Sequence, residues 1–254
     1  SVLTVVGDGN LTINLNSGKY FGIGNSLDEY HGELNFYQDG GIIINANGMK
    51  GIGIGSGLGG VINIKRGHYE FDMKGQEGAC IGSVNGDSEL FIEYCDMDIY
   101  SGISNGTIIG SVNGDADIKL ENISAKIQGA GNVITGIGTI AGNSCMVRLE
   151  NVNISSNIRA KECYGIGCRA GRTDIYIGYA AVKSVVQGKS AVAFGNSVMS
   201  AKLYCSNADI GTNAVTEFNS DIGALEKNIQ LENGRAEFIL NGQEVKRQIL
   251  AARL

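Results

Sequence analysis

Along most of this chain apolar and polar residues alternate one by one. Between residues 117 and 127, Ile118, Leu120, Ile123, Ala125 and Ile127 are set against Asp117, Lys119, Ser124 and Lys126. The alternation slips by one position at Glu121-Asn122. A period of two predicts β-strands, and the slip predicts a corner between two of them. The same pattern runs through Leu90, Ile92, Cys95, Met97 and Ile99, and through Val147, Leu149, Val152 and Ile154. Before the C-terminus no segment carries the i, i+3, i+4 spacing of a helix.

The pattern repeats. Taking the glycine that closes each GIG-like triplet as an anchor gives Gly24, Gly53, Gly82, Gly110, Gly138, Gly167, Gly195 and a degenerate Gly223. The intervals are 29, 29, 28, 28, 29, 28 and 28 residues. The pentapeptide SVNGD, at Ser83–Asp87 and again at Ser111–Asp115, is the same turn on two neighbouring units. Each unit holds two short strands meeting at a corner, a Gly/Asn turn, a third strand at the anchor and a second turn. Such units stacked in constant register make an all-β fold, a single parallel β-solenoid of three strands per coil. About eight to nine coils rising about 4.8 Å each give a rod roughly 40 Å long. Residues 1–24 read as an N-terminal partial coil, 25–223 as regular coils, and 224–254 as a last coil with a cap and tail. The cap is a hairpin, because Asn241-Gly242 sits between two strand-like runs. Gln248 to Leu254 reads as a short helix or a frayed tail.

Composition fits this picture. The 254 residues include 39 Gly, no Pro and no Trp, are 43 % hydrophobic and carry a formal net charge of −6. An interior coil bonds to coils above and below, so a residue without an N–H would break a ladder. The acidic balance with no basic run speaks against nucleic acid, and no apolar stretch is long enough for membrane insertion. The chain begins at Ser1 without Met, which reads as a piece excised from a longer protein with neighbouring domains. Of the six cysteines, Cys80 and Cys145 have no partner at the same phase one coil away, and all six are expected as free thiols, which suits a reducing or anaerobic setting. Cys95 and Cys205 lie on the inward phase, and Cys163 and Cys168 fall on opposite faces of one strand.

In a solenoid, columns carry more information than motifs. Lys65, Glu93, Glu121 and Glu150 share one outward phase. Stacked carboxylates are of the type that holds calcium, but Lys119 and Arg148, two positions earlier, are expected to neutralise them, so no metal and no cofactor is predicted. Asn122, Asn151 and Asn207, with Arg66, Tyr94 and Tyr179, mark the corners. On the second strand His68 lies beside Asp96, and Glu70 beside Asp98, with Lys126 next. Glu70, Asp96 and Asp98 are the weak catalytic candidates, since paired carboxylates serve polysaccharide cleavage. Phe91, Tyr176 and Tyr204 share an outward phase with Lys119 and Arg148, which gives the binding candidates: exposed rings suit sugar faces, and a basic pair suits an acidic sugar. The anchor-strand residues Gly22, Gly51, Cys80, Ile108, Gly136, Gly165 and Ala193 read as a smooth outward strip, beside an inward stack of Ile81, Ile109, Ile137 and Ile166. GSGLGG (Gly55–Gly60) matches a dinucleotide loop only in form, because a strand follows it. GISNG (Gly102–Gly106) likewise lacks a strand-to-helix elbow at Ser104.

The triplet followed by an Asn/Asp/Gly turn, as in GIGSGLGG and IGSVNGD, resembles the glycine-rich β-solenoid repeats of large surface proteins of gut Gram-positive bacteria. The resemblance covers residues 7–223. It implies a non-catalytic binding or adhesion module at the cell surface or outside the cell, with a polysaccharide or host glycan as partner. The alternatives are a passive spacer solenoid and, third, a polysaccharide lyase or hydrolase of β-helix type.

Overall fold

The computed structural model describes residues 1–217, 229–245 and 250–251, and every regular element among them is a strand. The first coil holds β1 (Val2–Gly7), β2 (Leu11–Asn16) and β3 (Lys19–Gly24). The second holds β4 (Gly32–Gln38), β5 (Gly41–Asn47) and β6 (Lys50–Ser56). In the third and fourth coils the strands run on through their corners, as β7 (Gly59–Ser83) and β8 (Asp87–Ser111). Next come β9 (Ala116–Glu121), β10 (Ser124–Thr139), β11 (Ser144–Glu150) and β12 (Asn153–Cys168). The seventh coil is β13 (Arg172–Gly178), β14 (Ala181–Gly188) and β15 (Ser190–Gly195). β16 (Ala201–Ser206), β17 (Asp209–Thr216), β18 (Ile229–Glu232), β19 (Arg235–Leu240), β20 (Gln243–Glu244) and β21 (Leu250–Ala251) complete the order. Each coil pairs parallel with the next, from β1 with β4 to β17 with β19. The fold is a parallel β-solenoid of about eight turns.

One residue per coil makes the corner between the first and second faces. Tyr94, Asn122, Asn151, Tyr179, Asn207 and Asn233 all have φ between 46° and 56°, and Arg66 has φ 106°. That left-handed step shifts the alternation by one while the N–H stays in the ladder. Asn122, Asn151, Tyr179 and Asn207 each donate to a carbonyl of the next coil at 2.8–3.0 Å. Asn is among the few side chains that tolerate this conformation, and here Asn151 also donates to Asn122 Oδ1 at 2.5 Å.

The second corner needs glycine. Gly82, Gly110, Gly138 and Gly167 have φ near 134° (131–137°), and a Cβ on any of them would collide with the carbonyl of the next anchor. The register corrects one anchor: Gly24 pairs with Gly55, not Gly53, and Gly55 pairs with Gly82. The intervals are therefore 31 and 27, not two of 29. The loop from Gly24 to Gly32 is three residues longer than that from Gly55 to Gly60, and no periodicity reveals such a compensated slip. Gly223 lies outside the described residues.

The SVNGD turn is a ladder of its own. Ser111 Oγ and Thr139 Oγ1 each donate at 2.7 Å to a turn carbonyl, of Gly86 and Gly114. Asp87 Oδ1 accepts from Asp115 N at 2.9 Å, and Asp115 Oδ1 accepts from Asn143 N at 2.6 Å. Val84 and Val112 pack with Leu27, Ile52 and Ile140 in a second, smaller apolar cluster.

The main core overturns the smooth outward strip. Between every pair of coils the pairing skips the Gly53, Cys80, Ile108, Gly136, Gly165 position, so the strand bends there and the side chain turns inward. Cys80, Ile108 and Ala193 belong to the main core, and a Cβ on Gly53 would sit 2.8 Å from Met73 Sδ. Ile81, Ile109, Ile137 and Ile166 are fully buried in the main core as expected.

Both ends differ in part from expectation. Residues 2–24 form three strands that all pair with the second coil, a whole coil rather than a partial one. At the other end the hairpin is present: β19 and β20 pair antiparallel, with φ 49° at Asn241 and 78° at Gly242. Leu250 and Ala251, expected in a helix or tail, pair parallel with β18. The other residues of that segment lie outside the described ones. All six cysteines are free and buried, and burial pushes the Cys95 and Cys205 thiols up to about 12. Cys163 and Cys168, expected on opposite faces, both join the main core, because the strand bends between them.

Candidate functional site

The first face is built by the strands that precede the Asn corner. Its middle outward column runs Asn63, Phe91, Lys119, Arg148, Tyr176, Tyr204, Gln230, one residue per coil. The five binding candidates are thus consecutive. Tyr176 is 43 % exposed, and its ring centroid lies 6.4 Å from that of Tyr204 at an interplanar angle of 48°. Two tilted rings form a shallow V, not a flat shelf. Tyr204 is fixed in place, because its hydroxyl donates to Glu232 Oε2 at 2.7 Å.

The basic pair is already engaged. Lys119 Nζ lies 2.5 Å from Glu121, and Arg148 Nη1 lies 2.6 Å from Asp117. The hydrogen bond that Lys119 donates to Glu121 raises the Lys119 pKa above its ordinary value. Glu93 of the stacked column pairs with Lys65 at 3.0 Å. Lys119 neutralises that column as expected; Arg148 instead turns to Asp117, an earlier position on the same face. Among the described residues no cluster of His, Cys, Asp or Glu has the grouping of a metal site.

The second face brings His68 beside Asp96 and Glu70 beside Asp98, as the spacing predicts. Lys126 Nζ lies 3.7 Å from Asp98. His68, Asp96, Asp98 and Lys126 line an open depression of about 450 Å³ together with Ser124 and Ala125, and Glu70 lies outside it. Asp98 and Lys126 are more than half exposed. Gly55–Gly60 leads into β7, and Ser104 lies inside β8, so neither formal motif meets a helix.

Two participants escape a reading by phase alone. Glu232, which holds Tyr204, continues the Glu93, Glu121, Glu150 column in register through Gly178 and Ser206. Its signal is present, but residues 218–228 break the count before it. Asp174, two positions before Tyr176 on β13, is only 5 % exposed despite its outward phase. Alternation gives a direction, and burial depends on what covers it. In comparisons with known proteins, no family model, no curated protein and no solved structure matches this chain.

Proposed function

We propose that this chain is a non-catalytic glycan-binding module of a larger surface protein, with its site at Tyr176 and Tyr204. One observation carries the reading: two tyrosines on adjacent coils present neighbouring rings on an open face, one of them held by Glu232. Rings fixed before binding lose little freedom on contact, and sugar faces stack on them while their hydroxyls stay wet. The resemblance to surface-protein solenoids agrees with this role.

A glycan array tests it. Tyr176→Ala and Tyr204→Ala each weaken the wild-type ligand by about 1 kcal/mol or more; the melting temperature is unchanged for exposed Tyr176 and falls slightly for half-buried Tyr204, which loses its bond to Glu232. Equal binding by both variants removes the site from this face. A wild type that binds no glycan supports the second reading, a spacer. The mutual neutralisation of charges along the first face favours that reading. Cleavage at Glu70, Asp96 and Asp98 ranks third; released reducing ends from acidic polysaccharide would revive it.

A further inference from the structure

The Tyr176 end of the first face also bears on which sugars fit, and this step rests on the glycan-binding reading. On β13, Thr173, Ile175 and Ile177 are buried on the inward phase, while Arg172, Asp174, Tyr176 and Gly178 alternate with them. Asp174 is anomalous for its phase, nearly buried where Lys202, its partner on the next coil, is exposed. Arg172 Nε donates to Asp174 Oδ2 at 2.8 Å, yet Asp174 Oδ1 is buried and accepts no hydrogen bond. A buried carboxylate oxygen without a donor is unfavourable, and any donor that reaches it recovers that loss.

On the other side of the Tyr176 ring stands a second carboxylate. Glu150 is in register with Gly178, and a Cβ on Gly178 would collide with Glu150 Oε2. Tyr176 is therefore flanked by two acidic groups, Asp174 on its own strand and Glu150 reaching from β11 to Gly178. The charges beside the ring are balanced, because Arg148 and Arg172 are already paired with Asp117 and Asp174, which leaves neither guanidinium free for an anionic ligand. Lys202 alone adds an exposed positive charge beside Asp174.

We infer that the site takes a neutral sugar and rejects acidic ones. The pyranose face lies on Tyr176, and a hydroxyl of that ring donates to Asp174 Oδ1, with Glu150 as a second acceptor. A uronate or sulfate would have to break one of the two ion pairs to reach a guanidinium, with the Glu150 carboxylate beside it.

Affinity electrophoresis of the full chain tests this, in gels containing mannan, xylan or a linear β-glucan against gels containing polygalacturonate or hyaluronan. Retardation is expected in at least one neutral gel, insensitive to added salt because no ion pair with the ligand is involved. Asp174→Asn weakens that retardation about tenfold, as loss of a hydrogen bond to a charged acceptor does. Glu150→Gln, at a half-buried position, weakens it less and keeps the test open if Asp174→Asn fails to fold. Retardation by the acidic polymers that salt abolishes would overturn the inference. So would neutral-gel binding unchanged in both variants, and that outcome leaves the glycan reading intact. No retardation in any gel overturns both.

Discussion

At the scale of single residues, the corners show how sequence and backbone are matched. Asn122, Asn151, Asn207 and Asn233 suit a left-handed φ, but Tyr94 and Tyr179 adopt it at 56° and 46° without that tolerance. For an ordinary L-residue the left-handed region costs roughly 1–2 kcal/mol, and Asn escapes much of it. Tyr179 is 65 % exposed, so little packing offsets the strain. Tyr179→Asn is therefore expected to stabilise the protein by about 1 kcal/mol, read as a higher urea midpoint with an unchanged slope. A lower midpoint would mean that the ring packs against the rod.

Among elements, the anchor strand holds the tightest packing and the N-terminal loop the most exposed weakness. Ile137→Ala is expected to cost roughly 2–5 kcal/mol, because Ile137 is buried in a stack whose neighbours cannot collapse inward. A loss under half a kcal/mol in a denaturant titration would place Ile137 outside the core. The loop before β4 ends at His31, which is 4 % exposed, bonded through Nδ1 to Ser56 Oγ at 2.9 Å, and unpaired at Nε2. Burial lowers its pKa from 6.5 to about 4. The unfolded chain then binds the extra proton first. Stability falls as pH drops from about 6.5 to about 4 and levels off below, a loss of about 3 kcal/mol from this group. His31→Gln is expected to flatten that part of the stability curve relative to wild type, measured by chemical denaturation at several pH values. Parallel curves would show that His31 does not contribute.

Much of this was legible in the residues, and the limits have physical causes. Strand period, corners and hairpin follow from alternation and from Asn-Gly, which are local. The Gly53 and Gly55 ambiguity was not legible, because a longer loop and a shorter coil cancel in the spacing. Nor was the inward turn of Cys80 and Ile108, since a mid-strand bend changes facing without changing composition. At the candidate site the column of Phe91, Lys119, Arg148, Tyr176 and Tyr204 was readable from phase. The engagement of Arg148 with Asp117 and the burial of Asp174 were not, as both depend on rotamers and neighbours.

For the whole molecule, the constant register has a consequence for length. Ala116 and Cys145 occupy the same place on successive coils. Excising residues 116–144 therefore joins Asp115 to Cys145 where Ala116 stood, and lets the fourth coil meet the former sixth. Each coil touches only its neighbours, so the loss is local. The shortened chain is expected to fold with an unaltered far-ultraviolet spectrum per residue, and with a rod about 4.8 Å shorter by small-angle scattering. Tyr176 and Tyr204 lie beyond the joint and should bind as before. The rod then acts as a ruler graduated in coils, on which a site can be moved nearer to or farther from either end by whole steps without being rebuilt.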